Sequence, residues 1–449
     1  MRLTHRSILR VANLSHRLLP LLAGLLFAPL SATTDWPAFR GPWGDGQVSA
    51  PGETRQLGLP LTWSETEGVV WKTPIPERGW STPAIMEGKI WLTSASVDGN
   101  DFFVLWVDAA TGQIRLNQKL FHCDAPEPLG NKVNCYATPS PALEPGRAYL
   151  HFGSYGTACL DTATGKTLWQ RQDLPCRHYR GPSSSPVLFE NLVILTMDGA
   201  DVQYLVALDK RTGRTVWKTN RSVEWNDSGS TIKMVQEGDR RKAHSTPLLV
   251  TIDGQPRLLS TGAKAAYAYD PRTGRELWRV RYEAWSAAPV PVYRQGLMFL
   301  VTGLGKTELL AVRTDGSGDV TDTHVVWRLD SMVAKTASPV LVGDLLYMVT
   351  DDGLATCLDS ATGKQVWRER LVGKYAASPI HADGRLYFCT QEGKTTVLKP
   401  GRTWEVLATN TLETGLMASP SVAGKALFLR TKTHLYRIEN SPSTTPSSE

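Results

Sequence analysis

The chain has 449 residues, of which 41% are hydrophobic and 20% are charged. These are ordinary values for a protein that buries a core, and they exclude a wholly disordered chain. The formal net charge is +6, but the first 32 residues hold four arginines and no acid, so only +2 remains on the rest of the chain. A charge this small gives no electrostatic footprint for nucleic acid or an anionic membrane surface.

The first segment is typical of a secretory signal peptide. Its four arginines are followed by an apolar run over residues 18–30 and by the small residues Ser31 and Ala32. A membrane anchor is the alternative, but 13 residues interrupted by Pro20 and Pro29 fall short of the ~20 needed to cross a bilayer. We therefore expect Sec-type export with removal of residues 1–32, which gives a periplasmic or secreted protein without stable membrane insertion.

The next predicted element is a lone strand, GVVWKTPI, from Gly68 to Ile75. It is similar to the last strand of a unit that repeats from residue 80 onward, although no unit precedes it. The final unit, in turn, stops at Glu439 without a strand of this type. We predict that the N-terminal strand completes the final unit, so that the two ends of the chain lock together.

The repeated unit carries two signals in a fixed order. A small-residue run ends in a proline and precedes an apolar strand, and this occurs eight times, at Pro83, Pro141, Pro186, Pro247, Pro289, Pro339, Pro379 and Pro420. Downstream lies a decapeptide such as LDTATGKTLW, which begins at Leu160. Similar decapeptides begin at Leu208, Tyr269 and Leu358, with a frayed copy at Val107. A period of 40 to 61 residues indicates a solenoid or a propeller.

The short runs between these signals are rich in β-branched and aromatic residues and are separated by turn dipeptides such as Asp383-Gly384. This pattern predicts four antiparallel strands per unit, and no long segment has helical periodicity. A ring of such sheets protects the edges that a lone sheet exposes. The sequence therefore predicts an all-β fold, an eight-bladed β-propeller over residues 33–440, followed by a disordered polar tail at 441–449.

Within the decapeptide, the aspartate can bond turn amides and the glycine supplies a positive φ. The tryptophan that ends the fourth strand is expected to pack between neighbouring blades. These structural docking residues are Trp169, Trp217, Trp278, Trp327 and Trp367. The repeat is therefore interpreted as packing and not as chemistry.

Six cysteines offer up to three disulfide bonds in an exported protein. They are Cys123, Cys135, Cys159, Cys176, Cys357 and Cys389. Local pairing of the first two and of the next two is one interpretation, and buried free thiols are the alternative for Cys357 and Cys389. No spacing matches a zinc or c-type haem motif, so no metal site is assigned.

With these repeats the sequence resembles the quinoprotein alcohol dehydrogenase-like propellers, whose tryptophan-docking units are typical of pyrroloquinoline quinone (PQQ) proteins. The resemblance extends over residues 36–439. HFGSYGTACLDTATGKTLW and the segment WPAFRGPWGDG, from Trp36 to Gly46, are most similar to exported bacterial PQQ-binding-like repeat proteins without an assigned activity.

The dehydrogenases of this superfamily hold PQQ over the ring axis with a tryptophan below it, a vicinal disulfide above it, a calcium ion and an aspartate base. This sequence has no adjacent cysteines, and no position matches the calcium ligands or the base by motif. A propeller lipoprotein of the outer-membrane assembly machinery, another relative, uses the fold as a docking scaffold. Its lipid-bearing cysteine has no counterpart after the apolar run.

In a propeller the loops that enter the innermost strands converge on the axis, and here these are the residues just ahead of the eight prolines. They supply Trp80, Tyr136, Arg180, His244, Trp285, Lys335 and Tyr375, together with Met417. Such a funnel of aromatic and cationic groups suits a planar, negatively charged ligand. The alternative is that several of these side chains fill the channel or contact solvent. His244, considered by itself, is interpreted as a hydrogen-bonded loop residue and not as a base.

Further candidates are weaker. Asp198 and Asp201 lie in a glycine-containing turn, where calcium binding is the alternative to ordinary turn chemistry. Two long loops, over residues 121–136 and 222–242, offer binding surfaces, and the second contains Trp225, Asn226 and Asp227.

The preferred function is a monomeric binding or scaffold module of the cell envelope with a protein, peptide or glycan partner. No catalytic residue is assigned. The alternative is a PQQ-dependent alcohol or sugar dehydrogenase with calcium as the accompanying metal, because the resemblance implies this cofactor pair.

Overall fold

The structure is a computed structural model that describes residues 35–50, 53, 55–130, 133–224 and 238–440. The predicted signal peptide, the tail at 441–449 and the loop residues Trp225, Asn226 and Asp227 lie outside the described residues. The regular secondary structure of the described chain is β-strand, apart from one short 3₁₀ helix at Asp239–Arg241. No helix in this part of the chain is long and apolar enough to cross a bilayer.

Eight sheets follow one another along the chain, and we number them blade 1 to blade 8. Strand β1 (Val69–Pro74) precedes them. Blade 1 contains β2 (Ala84–Met86), β3 (Lys89–Ala95), β4 (Asp101–Asp108) and β5 (Ile114–His122); blade 2 contains β6 (Ala142–Glu144), β7 (Arg147–His151), β8 (Thr157–Asp161) and β9 (Thr167–Arg171). Blade 3 contains β10 (Val187–Phe189), β11 (Leu192–Asp198), β12 (Gln203–Asp209) and β13 (Thr215–Asn220); blade 4 contains β14 (Leu248–Ile252), β15 (Gln255–Thr261), β16 (Ala265–Tyr269) and β17 (Glu276–Arg281).

The second half of the ring repeats this order. Blade 5 contains β18 (Val292–Arg294), β19 (Leu297–Val301), β20 (Leu309–Arg313) and β22 (Val325–Leu329), while the short β21 (Gly318–Asp319) pairs in parallel with β17 of blade 4. Blade 6 contains β23 (Val340–Val342), β24 (Leu345–Val349), β25 (Leu354–Asp359) and β26 (Gln365–Arg370); blade 7 contains β27 (Ile380–Ala382), β28 (Arg385–Cys389), β29 (Lys394–Leu398) and β30 (Val406–Thr411). Blade 8 contains β31 (Ser421–Ala423), β32 (Ala426–Arg430) and β33 (His434–Ile438). The predicted all-β fold of eight antiparallel blades is confirmed.

The ring is closed by the two ends of the propeller. Strand β1 pairs antiparallel with β33, with Val69 opposite Ile438 and Pro74 opposite His434. It therefore supplies the outer strand that blade 8 lacks, as the sequence predicts. The closure also buries Ile75 and Ile438 in one hydrophobic core cluster with residues of blades 1, 7 and 8.

Neighbouring blades are held together by a contact between the outer strand of one blade and a turn of the next blade. Trp217 of blade 3 donates its indole N–H to the carbonyl of Pro271 in blade 4 at 3.1 Å. A Cβ on Gly274 of the same turn would meet the Trp217 ring at 2.4 Å, so only glycine fits against the indole. The equivalent N–H bonds run from Trp71 to Ala109, Trp169 to Lys210, Trp278 to Thr314, Trp327 to Ser360 and Trp367 to Gly401.

The turn that receives the indole is shaped by its own side chains. Asp161 accepts hydrogen bonds from the backbone N–H and the hydroxyl of Thr164, both at 2.7 Å. Gly165 follows with φ +73°, a conformation that glycine adopts without strain. In blade 1 the tryptophan is replaced by Leu116, whose side chain lies 3.1 Å from the Cβ position of Gly165. The frayed first repeat thus keeps the contact without the hydrogen bond.

All six cysteines are free thiols in the structure. Cys123 is half-buried and the other five are buried. Burial raises the pKa of Cys159, Cys357 and Cys389 to about 12, so these thiols stay protonated at neutral pH and act as small apolar core residues.

Substitution of the docking indole will test its contribution to stability. We expect Trp217→Ala to lower the free energy of unfolding by ~3–5 kcal/mol, because a large buried ring is lost. Trp217→Leu, which reproduces the pair that Leu116 forms in blade 1, should lose less. Urea denaturation measures both, with exposed Trp43→Ala as the control, and equal losses for Trp43→Ala and Trp217→Ala would contradict the packing role.

A second test uses His151, which is 2% exposed and hydrogen-bonded to Thr157. Burial, and to a smaller degree His178, lowers the pKa of His151 to about 3. The unfolded chain, with an ordinary histidine pKa near 6.5, therefore binds the proton more readily, so stability is lost as pH falls below ~6.5.

We expect His151 to account for about 2 kcal/mol of the stability lost between pH 7 and pH 5. Urea denaturation at both pH values should show a smaller loss for His151→Gln than for the unmodified protein. Exposed His122 is the control, because its hydrogen bonds to Asp101 and Asp124 raise its pKa and give the opposite sign. An unchanged pH dependence in His151→Gln would refute the assignment.

Candidate functional site

The loops ahead of the eight prolines meet at one end of the ring axis and enclose a funnel of about 370 Å³. Residues of all eight blades line it. Five of the seven predicted residues are among them, namely Trp80, Arg180, His244, Trp285 and Lys335, and Met417 lines it as well. The structure thus brings these side chains together although they come from different blades.

Tyr136 and Tyr375 do not line the funnel. The Tyr136 ring is 5% exposed, packs edge-on against Phe102 at 6.4 Å and donates its hydroxyl to the Glu127 carbonyl. Tyr375 is 1% exposed and belongs to the core cluster that contains Phe388. Both rings turn away from the axis because packing them between blades removes a large apolar area from water.

One carboxylate, Asp239, neutralises two of the cations of the funnel. Arg180 donates two hydrogen bonds to its carboxylate oxygens, at 3.3 Å and 3.0 Å, and Lys242 forms a second ion pair with it. Burial alone would raise the pKa of Asp239, but the hydrogen bonds from Arg180 and Lys242 outweigh burial and hold this pKa below its ordinary value. Among the described lining residues Asp239 is the only carboxylate, and it is ionised and already paired at neutral pH.

The two tryptophans of the funnel each carry an arginine. The guanidinium of Arg78 lies 5.0 Å from the centre of the Trp80 ring, and that of Arg240 lies 4.8 Å from Trp285. Cation–π attraction of this kind fixes the planes of both groups. The Trp80 indole N–H also donates to the carbonyl of Val133 at 3.0 Å, so this ring is held from two sides.

His244 and Lys335 are the remaining titratable residues among those predicted for the funnel. Burial, followed by the neighbouring charge of Lys242, lowers the pKa of His244 to about 3, so the imidazole is neutral at physiological pH. Its backbone N–H donates to the Ala287 carbonyl at 2.7 Å. Lys335 is exposed, and its loop is fixed by Asp351, which accepts from the Thr336 backbone N–H and hydroxyl.

Below the charged groups the throat of the funnel is a belt of hydroxyl groups. In five blades the residue before the proline donates its backbone N–H to the side-chain oxygen of the corresponding residue in the next blade, and in blade 5 the residue after the proline, Val290, does so. The bonds run from Thr82 to Ser140, Ser140 to Ser185, Ser185 to Thr246, Val290 to Ser338, Ser338 to Ser378 and Ser378 to Ser419, all at 2.9–3.0 Å. The belt is interrupted at Ala288, the one position of the eight without a hydroxyl.

The other end of the axial channel is covered by the N-terminal segment 36–48, which we call the strap. Arg40 of the strap is 1% exposed and donates to the carbonyls of Pro339 and Pro379 in blades 6 and 7. Phe39 lines both the funnel and a second cavity at the far end. Phe39 of the strap thus lies where the two cavities meet.

The described residues contain no group of three or more histidine, cysteine, aspartate or glutamate side chains that could hold a metal ion. Asp198 is instead bound by Arg221, with Nη2–Oδ2 at 2.7 Å and both side chains at most 3% exposed. Asp201 accepts from the backbone N–H of Arg177 and of Val202. Ion pairing and turn chemistry therefore account for both aspartates.

Comparison with protein families matches residues 64–220 and 201–441 to the family described as outer membrane protein assembly factor BamB. The chain belongs to this family. Comparison of the BamB-family chain with curated protein sequences gave no match.

Solved structures extend the fold likeness of this BamB-family propeller to quinoproteins. BamB from Moraxella catarrhalis has a TM-score of 0.57 at 12% identity, covering 82% of this chain and 99% of its own. The quinohemoprotein alcohol dehydrogenase from Comamonas testosteroni has a TM-score of 0.62 at 13% identity, covering 93% and 82%. A europium-containing methanol dehydrogenase has a TM-score of 0.62 at 12% identity, covering 88% and 89%. Identities this low show a shared PQQ-like propeller fold and leave function to the residues of the funnel.

The hydroxyl belt can be tested at Ser378, whose oxygen accepts from Ser338 and whose N–H donates to Ser419. We expect Ser378→Ala to cost ~1–3 kcal/mol, because a buried N–H is left unpaired. Chemical denaturation measures the loss. Ala288→Ser, which adds a hydroxyl at the gap, is the matched control and should cost nothing; equal stability of Ser378→Ala and the unmodified protein would exclude a structural role for the belt.

Proposed function

We propose that this BamB-family chain is an exported binding module of the cell envelope and that its axial funnel takes up an anionic group of a ligand or partner. The observation that supports this most strongly is the charge balance of the funnel. Among the described residues Arg180, Lys242 and Lys335 line it, and the one described lining carboxylate, Asp239, pairs with the first two. Arg78 and Arg240, which stack on Trp80 and Trp285, add further positive charge close to the funnel.

Binding is favoured over catalysis because the one carboxylate among the described lining residues, Asp239, is already paired with two cations. Asp239 is ionised but is held by two cations, and loss of either ion pair would leave a buried charge uncompensated. The indole faces and the fixed hydroxyl belt are features of a rigid recognition pocket. Protein, peptide and glycan partners remain the proposed classes, with a monomeric propeller over residues 33–440 released after removal of residues 1–32.

PQQ-dependent oxidation of an alcohol or sugar is the second candidate. It is supported by the pair Trp80 and Trp285 with the cations around them, since a planar tricarboxylate would stack on indole and bind to ammonium and guanidinium groups. The donor set does not fit the calcium ion of this cofactor pair. Calcium takes six to eight oxygen ligands, whereas the described lining contributes a single, ion-paired carboxylate.

Calorimetry of the full exported chain with PQQ, with and without calcium, and with a short acidic peptide tests both candidates. We expect both anionic probes to bind in a calcium-independent manner, with no reduction of a redox dye when ethanol or glucose is added. Lys335→Glu and Trp285→Ala should each weaken binding at least tenfold, because a cation and a stacking face are lost.

The matched control is Trp43→Ala, which removes an exposed indole at the far end of the channel and should leave the affinity for PQQ unchanged. Calcium-dependent binding of PQQ with dye reduction would establish the dehydrogenase instead. Absence of binding, or equal weakening by Trp43→Ala, would rule out the funnel as the anion site.

A further inference from the structure

The innermost strand of every blade ends in a two-residue turn. The turn determines which residues of that strand direct their backbone N–H and C=O groups toward the axis. In blade 4, Ile252 pairs with Gln255 across the turn Asp253-Gly254. The two residues that flank a two-residue turn hydrogen-bond to each other through both of their backbone groups. The preceding residue, Thr251, therefore directs its N–H and C=O away from the hairpin, toward the unpaired edge of the innermost strand. Its partner across the hairpin is Pro256, which has no N–H to offer.

The strap satisfies the corresponding groups in four blades. Ile85 of blade 1 exchanges two backbone bonds with Trp36, at 2.8 Å and 2.9 Å. In blade 2, Leu143 donates its N–H to the Pro37 carbonyl at 2.8 Å. The Leu341 carbonyl of blade 6 accepts from the Gln47 side chain at 2.8 Å, and His381 of blade 7 bonds to Gly46 and Val48. The strap therefore pairs with inner edges near its two ends, at Trp36 and Pro37 and again at residues 46–48. Between these ends the chain turns, with positive φ at Arg40, Gly41 and Gly44.

Three neighbouring blades are left out of this pairing. The corresponding residues are Leu188 in blade 3, Thr251 in blade 4 and Tyr293 in blade 5, and within the described chain no backbone hydrogen bond reaches their free edges. All three line the far-end cavity of about 1130 Å³, next to Phe39 and Trp43 of the strap. Within the described chain blade 8 also lacks such a bond, but its corresponding residue, Val422, is fully buried. The accessible unpaired edges are therefore those of the adjacent blades 3, 4 and 5.

We propose that this cavity is a binding site for an extended peptide segment of another protein, which continues the path of the strap across blades 3, 4 and 5. Main chain is the occupant that fits, because each edge offers a donor and an acceptor side by side, as the edge at Ile85 does for Trp36. The site lies at the opposite end of the inner strands from the funnel and does not depend on the function proposed for it.

The residues that line the cavity determine which peptide side chains would fit it. Phe189, Val250, Pro256 and Tyr293 give the cavity an apolar surface between the strand edges. An extended chain directs alternate side chains to opposite sides, so apolar residues at every second position would fill the cavity while the others face the opening. The predicted ligand is thus a segment of about seven residues with an alternating apolar pattern, comparable in its pairing to strands added at sheet edges.

Hydrogen exchange of the full exported chain tests the site with a defined probe. The probe is a mixture of acetylated, amidated heptapeptides with Val, Ile, Phe or Tyr at odd positions and Ser or Thr at even positions. We expect slower exchange in segments that contain Leu188, Thr251 and Tyr293, and unchanged exchange in the funnel loops. A twin mixture with every internal amide N-methylated cannot donate hydrogen bonds to the edges and should give much weaker protection.

A pair of variants separates pairing from packing. Thr251→Pro removes the free-edge N–H without removing a hairpin bond, whereas Thr251→Val keeps it with a similar shape. Thr251→Pro should weaken peptide binding at least tenfold and Thr251→Val should not, with thermal unfolding as the check that both variants fold.

Equal protection by the N-methylated mixture would identify an apolar ligand cavity and overturn the proposal. Absence of protection by the first mixture would also overturn it. Concentration-dependent protection of the protein alone would assign the edges to a second copy of the chain.

Discussion

The interaction on which this structure depends is the contact between the outer strand of one blade and the turn of the next. A single four-stranded blade cannot bury its hydrophobic faces without its neighbours, and its two exposed edges favour association with other chains. The indole of Trp217 against Gly274, with its N–H on the Pro271 carbonyl, fixes both the spacing and the angle between blades. Because this contact recurs around the ring, the ring has a defined number of sectors and a rigid axis.

Everything that is chemically distinctive about the molecule follows from that axis. The inner strands start at prolines whose preceding hydroxyl groups form the belt, and the loops just ahead of them bring Trp80, Trp285 and Arg180 from separate blades into one funnel. At the other end of the same strands, backbone edges converge in place of side chains. One end of the channel is therefore suited to recognise charge and aromatic planes, and the other to recognise main chain.

The sequence predicts the fold well because its signals are local. The Asp-x-x-Thr-Gly turn carries its own hydrogen bonds, as Asp161 and Thr164 show, and the proline before each inner strand marks the axis. The spacing therefore predicts which residues lie near the funnel, but it does not predict the direction in which each side chain points. Tyr136 and Tyr375 have the right place in their loops and still turn between blades.

Other parts could not be predicted from local patterns. Asp239 lies in a long loop with no motif, and its place in the funnel is set by Arg180, which belongs to the preceding blade. The path of the strap depends on contacts such as Arg40 with Pro379, which lie far apart in the sequence. The hydroxyl belt did leave a visible signal, since Ser or Thr precedes seven of the eight prolines.

The pairing of β1 with β33 has a consequence for how the chain matures. The first strand of the propeller to leave the ribosome finds its partner only among the last residues to be made, so the ring cannot close until synthesis is complete. Contacts between such distant residues slow folding, and until they form the outer edge of β33 and the strand β1 remain open to other chains. A chain that crosses a membrane before it folds would keep these two edges apart until both ends have arrived in the same compartment.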